Sequence, residues 1–569
     1  MPSDSLARIP STLPPVLRVV EPSTAAPPEA KPAAAVSTQG RERERPLRWR
    51  ELDDAAAGLH GQFTTAVNLA VKAAVAGGDL RELEEAVATG MATIAAQILA
   101  LTLASACREA MEKDIKTRVL QPGQFRVRGD DSGYATIRTT FGLITFPTFA
   151  YRDLSGPASV TRHPARALLE YHAACRSSPL CLELEARLGM HHPFLMAQEM
   201  FRVFSRGAST IEDTTIARHV LHLGSLIDFS WLYSTPKAIR RTLRDRATRD
   251  KKTGRPLIYF SSDAHALRRY DDDGSWGKQW KMVNGLRVWC EDARTGAIIH
   301  LGGEFLWGDC QKVEARIRAL LEAGILPNEN RVWRALNAQV VFVSDGAEWF
   351  LDRIVPLVPG AEVILDPYHL IDWFADFGRS VYGVGTERAR AFHAKVRDLL
   401  FRKKTKSARN QPPQRKGHKK SRGGRTLHAH DHPWLGRGRP RTTISDATAD
   451  ALLEYIDGLD LSAPEHHQAR ETLVTRLVKN ARRIDYPPYL ARGIQIGSGA
   501  MESLHRSGSQ LRLKRPGATW LEETSQAVLN LRMLEMSGRW SEFWGQPDLT
   551  KEIARAFHDK RKSPTSRAA

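Results

Sequence analysis

The stretch QVVFVSDGAEWF (residues 339–350) runs a block of β-formers into Asp345, a glycine and the start of a helical pattern. An apolar run of this length closed by a turn residue predicts a strand buried on both faces, as in the parallel part of an α/β sheet. A strand-end aspartate is commonly a turn or capping residue, because its side chain accepts from free main-chain N–H groups. That reading of Asp345 stands unless other strands bring partners to it.

The pattern extends on both sides. LIYFSSD (257–263) reads as a strand ending in Asp263, and KMVNGLRVWCED (281–292) and AIIHLGGEF (297–305) read as strands flanking a turn at 293–296. KVEARIRALLEAG (312–324) has the apolar spacing of a helix, AEVILDP (361–367) is a further strand, and a long helix is expected from Tyr368 to about Phe401. The order β-β-β-α-β-α-β predicts an α/β protein with a mixed five-stranded sheet and helices on its faces. It is the order of the ribonuclease-H-like fold, in which the first and fourth strands are neighbours. Asp263 and Asp345 would then lie side by side, poor company for each other unless divalent cations neutralise them. Hard oxygen ligands of this kind select Mg²⁺, with Mn²⁺ as a substitute.

Around this block the composition changes. Residues 1–49 are rich in proline, alanine, serine and charge, and are expected to be a disordered tail. Residues 50–130 carry helical periodicity, with dimerisation as their expected role. The apolar run at 91–107 is at the short limit for a bilayer and contains Gln97, so a core or dimer helix is expected there. Residues 131–225 combine a hairpin around Gly142 with short helices. The last, EDTTIARHVLHLG (212–224), has the form of the second helix of a helix-turn-helix, able to present Thr214, Thr215, Arg218 and His219 to a DNA groove. The sheet region covers 250–400, a basic and helical insertion 401–485, the last part of the sheet domain 486–548, and a basic tail 549–569.

Lysines and arginines exceed acidic residues by 83 − 64 = 19, a positive field suited to a polyanion. Residues 402–441 hold fourteen lysines and arginines against one acidic residue, which predicts a solvated arm that contacts phosphates through Lys419, Lys420, Arg422 and Arg425. Five scattered cysteines with no C-x-x-C pair argue against a disulfide framework or a structural zinc site. With no signal-peptide pattern at the start, a cytoplasmic, nucleoid-associated protein is expected.

A third carboxylate comes from GSGAMESLHR (497–506), where Gly497 and Gly499 would permit close backbone approach and Glu502 falls in the first turn of a helix. The helix dipole alone favours glutamate there. Arg506, Arg512, Lys514 and Arg515 follow within fourteen residues, and they would place phosphate-binding groups beside it. SSDAHA, VSDGAEW, DPYH and GSGAMES…RLKRPGATW, with the trailing VLNLR and Trp540 and Trp544, resemble the DDE transposases of bacterial insertion sequences, specifically the Kra-four type. The resemblance spans roughly residues 130 to 545.

The resemblance implies that Asp263, Asp345 and Glu502 are the catalytic, Mg²⁺-binding triad. It implies that Asp366 and His369 are the supporting aspartate-x-x-histidine pair shared with Mutator-like transposases. Asp-Pro is also a common turn opener and His369 a helix-start residue, so both keep a structural reading. The activity implied is cleavage and strand transfer at terminal inverted repeats in double-stranded DNA, by a homodimer or higher oligomer. The rival readings are a non-catalytic DNA-binding protein derived from a transposase, and a ribonuclease-H-like nuclease without strand transfer. A glycosidase using Asp345 and Glu348 leaves the charge unexplained. Asp271 to Asp273, Asp292 and Asp309 are read as turn, hairpin and cap residues.

Overall fold

The computed structural model describes residues 51–562 except 77–78, 129–132, 167–174, 271–278, 329, 402–446 and 462. They form two compact units: residues up to Ile227 together with those from Trp540 onward, and Asp228–Arg539. The predicted tail at 1–49 and the basic arm at 402–441 lie outside the described residues.

In the first unit, α1 (Glu51–Val75) and α2 (Leu80–Thr117) form a helical pair, with Asp79 capping α2 through the Arg81 amide. α2 is long and apolar enough to cross a membrane by length and composition. Its small residues instead form a packed face. Ala96, Ala100, Ala104, Cys107 and Met111 recur at helical spacing and share a core with Ile137, Ile144 and Phe146. These last come from the hairpin at Gly142, whose strands follow β1 (Phe125–Arg128) as β2 (Tyr134–Thr139) and β3 (Gly142–Pro147), before β4 (Ala150–Asp153) and β5 (Val160–Arg162). Three helices follow: α3 (Pro179–His191), α4 (Phe194–Phe204) and α5 (Asp213–Ser225).

The end of the chain departs from expectation in this unit. Residues Leu549–Lys562 are helical rather than a tail, because Ile553, Ala554 and Phe557 give them a buried face. Trp540 also belongs here rather than with the sheet. Its indole donates to Glu183 at 2.6 Å and Arg187 stacks on its ring, so the second unit ends at Arg539 instead of 548.

The second unit is built on a mixed sheet of β6 (Leu257–Arg268), β7 (Trp280–Glu291), β8 (Ile298–Trp307), β9 (Gln339–Ser344) and β10 (Glu362–Leu365), in spatial order β10-β9-β6-β7-β8. β6, β7 and β8 pair antiparallel, while β9 runs parallel to both β6 and β10. Every residue of β9 is buried, as an unbroken apolar run at the centre of a covered sheet requires. Its side chains alternate. Val341 and Val343 face the main core with Tyr259 and Ile364, whereas Phe342 faces Phe260 and Phe350. Each valine fully buried in this way contributes about 1.5–3 kcal/mol.

α6 (Pro236–Asp245) precedes the sheet and α7 (Cys310–Glu322), capped by Asp309, crosses between β8 and β9. The long helix expected after β10 is two, α8 (Pro367–Tyr382) and α9 (Glu387–Phe401), because Gly383 and Gly385 adopt positive φ between them. The described part of the expected insertion is not separate. Leu452 and Ile456 of α10 (Ala447–Asp457) and Leu473 and Leu477 of α11 (Pro464–Asn480) share one core with β6, β9 and α8. α12 (Gly499–Leu504) and α13 (Glu522–Met536) complete the elements around the sheet.

Candidate active site

Asp263 does not end its strand. It is flanked on both sides by β6 and pairs with Gly285 of β7, while the parallel pairing of β6 to β9 stops at Phe260↔Phe342. Asp345 directly follows the last residue of β9. Two neighbouring strands therefore deliver the aspartates to the same end of the parallel ladder. Burial pushes the Asp263 carboxyl above the usual carboxylate range, and the charges of Asp345 and Asp366 push the same way. The Ala264 amide and His369 oppose them.

Asp345 also keeps its turn role, accepting the Ala347 amide on Oδ1 at 3.0 Å. Gly346 between them has φ +86°, and a Cβ there would come within 2.8 Å of Leu365 Cδ1, so the turn demands glycine.

Asp366 is fully buried and caps α8 through the His369 amide at 3.3 Å. It also accepts the Ser498 amide at 2.8 Å, while its own N–H donates to Ser344 O at 2.8 Å. One residue thus joins the end of β9 through its main-chain N–H, and the start of α8 and the loop that leads to α12 through its carboxylate. Glu502 lies exposed on α12, with Ser498 Oγ 3.4 Å from its Oε1.

Among the described residues no three His, Cys, Asp or Glu side chains gather closely enough to hold one metal ion. Asp345 acts electrostatically on Asp263, and no third side chain completes a metal-sized group with them among the described residues. The aspartates fit a hard divalent cation, because a desolvated carboxyl raised by a second carboxylate is what a cation would relieve. Close approach is not what Gly497 and Gly499 provide: a Cβ at either would meet nothing nearer than 3.7 Å. The close approach is at Gly285, where a Cβ would sit 3.0 Å from His505 Nε2.

Two histidines that sequence patterning does not single out stand close to the carboxylates. His265, two positions after Asp263, and His505, three after Glu502, meet Nδ1 to Nδ1 at 2.7 Å. Burial lowers His265 to about 3 and His505 to about 4. Arg287 of β7 donates to Ala500 O, and Trp289 to Gln495, fastening the first turn of α12 and the segment before it to the sheet. A local signal is present, since both histidines stand inside the SSDAHA and GSGAMESLHR segments, but nothing in their spacing shows that residues 240 positions apart would touch.

No family model matches the chain, and no curated protein matches it. A solved structure described as a Drosophila P element transposase strand transfer complex is similar over 68% of this chain and 85% of that one, with 12% identity and a TM-score of 0.21.

The basic residues divide by exposure. Arg506, Lys514 and Arg515 are exposed. Arg512 differs: it is buried, its guanidinium lies 4.7 Å from the centre of the Trp520 ring, and burial lowers it to about 9. Arg218 is exposed and donates to Thr215 Oγ1 at 3.2 Å. His219 faces no groove, because it is buried and bonded to Glu185. Lys419, Lys420, Arg422 and Arg425 lie outside the described residues. An additional basic surface comes from α6, which buries Ile239 and Leu243 and exposes Lys237, Arg241 and Arg244. Arg249, Lys251 and Lys252 follow it, also exposed.

Proposed function

We propose that the chain is a DDE transposase of a bacterial insertion sequence with a ribonuclease-H-like catalytic core. The reading is carried by one observation: Asp263 and Asp345 lie at the same end of two adjacent parallel strands, with Asp366 binding the loop that precedes Glu502. The strand order, three antiparallel strands followed by two parallel ones on the far side of the first, supports the fold. Asp263, Asp345 and Glu502 would hold Mg²⁺ or Mn²⁺. The cation would supply positive charge for in-line phosphoryl transfer. Asp263 and Asp345 would hold it from the sheet, and the exposed Glu502 side chain would do so from α12.

Arg506, Lys514 and Arg515 position the DNA backbone, and the basic face of α6 adds phosphate contacts. Water serves as nucleophile for nicking the element end. The freed 3′-OH serves for strand transfer, and each displacement exchanges one P–O bond for another. Recognition of terminal inverted repeats falls to the region of Thr215 and Arg218. The partner copy of a homodimer docks on α1, where Phe63, Val67, Val71 and Val75 form an exposed apolar stripe.

The test is a plasmid carrying both flanks of the gene, incubated with protein or an Asp345→Asn variant in Mg²⁺ and Mn²⁺. Cuts at fixed ends plus joined products, both abolished in the variant, support the reading. That no three ligating side chains stand close enough to share one ion among the described residues favours a second reading, a transposase-derived DNA-binding protein without catalysis. Tight binding of the same ends with no metal-dependent cutting would establish it.

A further inference from the structure

We propose that His505 is a positioning residue for Asp263, and that Ser509, His265 and His505 form a one-way chain of hydrogen-bond donors ending on that aspartate. The inference rests on the reading of Asp263 as a catalytic carboxylate and adds what orients it.

Ser509 Oγ lies 2.9 Å from His265 Nε2, and His265 Nδ1 lies 2.7 Å from His505 Nδ1. His505 Nε2 is buried without a hydrogen-bond partner. The acceptors that face it belong to Asp263, whose carboxylate Oδ2 is 3.6 Å away and whose carbonyl acts on the same ring. All three side chains of the chain are more than nine-tenths buried, at 0% exposure for Ser509, 8% for His265 and 3% for His505.

Geometry sets the direction. Only one proton fits between two Nδ1 atoms in contact, so one ring donates and the other accepts. Lone pairs of Nε2 aimed at oxygen acceptors would repel them, so His505 carries its proton on Nε2. Its Nδ1 is then bare and accepts from His265 Nδ1–H. His265 Nε2 is bare in turn and accepts from the Ser509 hydroxyl, whose rotor is free to turn to it. A buried donor faced only by oxygens of Asp263 holds that residue in place, its carboxylate Oδ2 turned toward the ring and its remaining lone pairs left to face the site.

The location gives the chain a second effect. His505 opens a π-helical turn, His505–Gln510, that directly continues α12, the helix of Glu502. Such turns are rare and recur at functional sites. Through His505, the helix of the third carboxylate is fastened to the strand of the first. Gly285, the register partner of Asp263, leaves the space in which the ring lies.

The experiment uses the full chain, labelled with ¹⁵N-histidine, beside His505→Phe, His505→Gln, Ser509→Ala and Asp263→Asn variants. Long-range ¹⁵N NMR is expected to find His505 as the Nε2–H tautomer and His265 as the Nδ1–H tautomer. The opposite tautomers would overturn the proposal, whatever the activity of the protein. Mn²⁺ binding, read from the EPR signal of free Mn²⁺, is expected to weaken by about 10–100-fold in His505→Phe. The Gln variant, which keeps a donor, is expected to stay within about threefold of the unaltered protein, by the same reasoning on ligand orientation. Unchanged Mn²⁺ affinity in a folded His505→Phe protein would overturn the positioning role. Unchanged affinity in Asp263→Asn would instead remove the reading of Asp263 as a metal ligand, while the tautomer result would still decide the chain.

Discussion

Replacing Asp366 by alanine should be costly for a reason that can be worked from its contacts. The side chain is fully buried and accepts two main-chain amides, His369 at 3.3 Å and Ser498 at 2.8 Å. Loss of the first removes the cap of α8, worth about 1 kcal/mol. Loss of the second leaves the Ser498 N–H buried and unpaired, a cost of about 1–3 kcal/mol. The expected destabilisation of Asp366→Ala is therefore about 2–4 kcal/mol. Asparagine keeps one acceptor oxygen but turns an NH₂ toward the other amide, so Asp366→Asn should lose about half as much. Urea unfolding followed by tryptophan fluorescence measures both. Hydrogen exchange at Ser498 should accelerate in the same order, since its amide is deprived of the carboxylate that accepts it. An Asp366→Ala protein within about 0.5 kcal/mol of the parent, the range of ordinary surface changes, would refute the account.

Three further outcomes follow from the geometry. The hydrogen bond from Arg246, then the Arg294 amide, hold the Asp292 carboxyl down at about 2, against burial. Its folded value lies below the unfolded value of about 3.9, so the contribution is present above about pH 4 and disappears as pH falls toward about 2. Melting temperatures of the parent and Arg246→Met should converge over that window; parallel curves would sink the assignment. Changing Lys237, Arg241 and Arg244 of α6 to glutamate should lower the slope of log affinity against log salt by about 0.9 for each phosphate no longer neutralised, measured by fluorescence anisotropy on duplex DNA. An unchanged slope would remove α6 from the DNA surface. Arg512→Gln should lower the melting temperature by weakening the packing on Trp520 and leave that slope as it was, whereas Arg515→Gln should reduce the slope.

Much of this arrangement is legible in the sequence. The strands at 257, 281, 297, 339 and 361 announce themselves by β-forming runs bounded by turns, and Asp309 and Gly346 by the chemistry of capping and tight turns. Asp263 reads as a strand terminus because Ser261–Ser262–Asp263 resembles a polar stop. The strand nevertheless continues through His265 and Leu267, whose alternate burial is visible only once β7 lies beside it. The single helix expected over 368–401 passes through a Gly-x-Gly pair, and that pair divides it. Arg512 sits in a basic run and reads as a surface cation, yet Trp520, eight residues on, folds back beneath it.

What the sequence determined by itself was the set of local elements, the excess of positive charge and the carboxylates that those elements carry. These follow from short-range causes, since periodicity, capping and turn preference act over a few residues. Only the tertiary structure decided which carboxylates meet. The pairing of β6 with β9 joins segments about eighty residues apart in the chain, and it places Asp263 beside Asp345. The contact of His265 with His505 spans 240 residues, and no local preference encodes it. Glu502 shows the same division: its helix start is written in GSGAME, but where its side chain stands relative to the aspartates depends on how α12 packs on β7. Packing is a property of surfaces formed after the elements exist, so it cannot be read from any one of them.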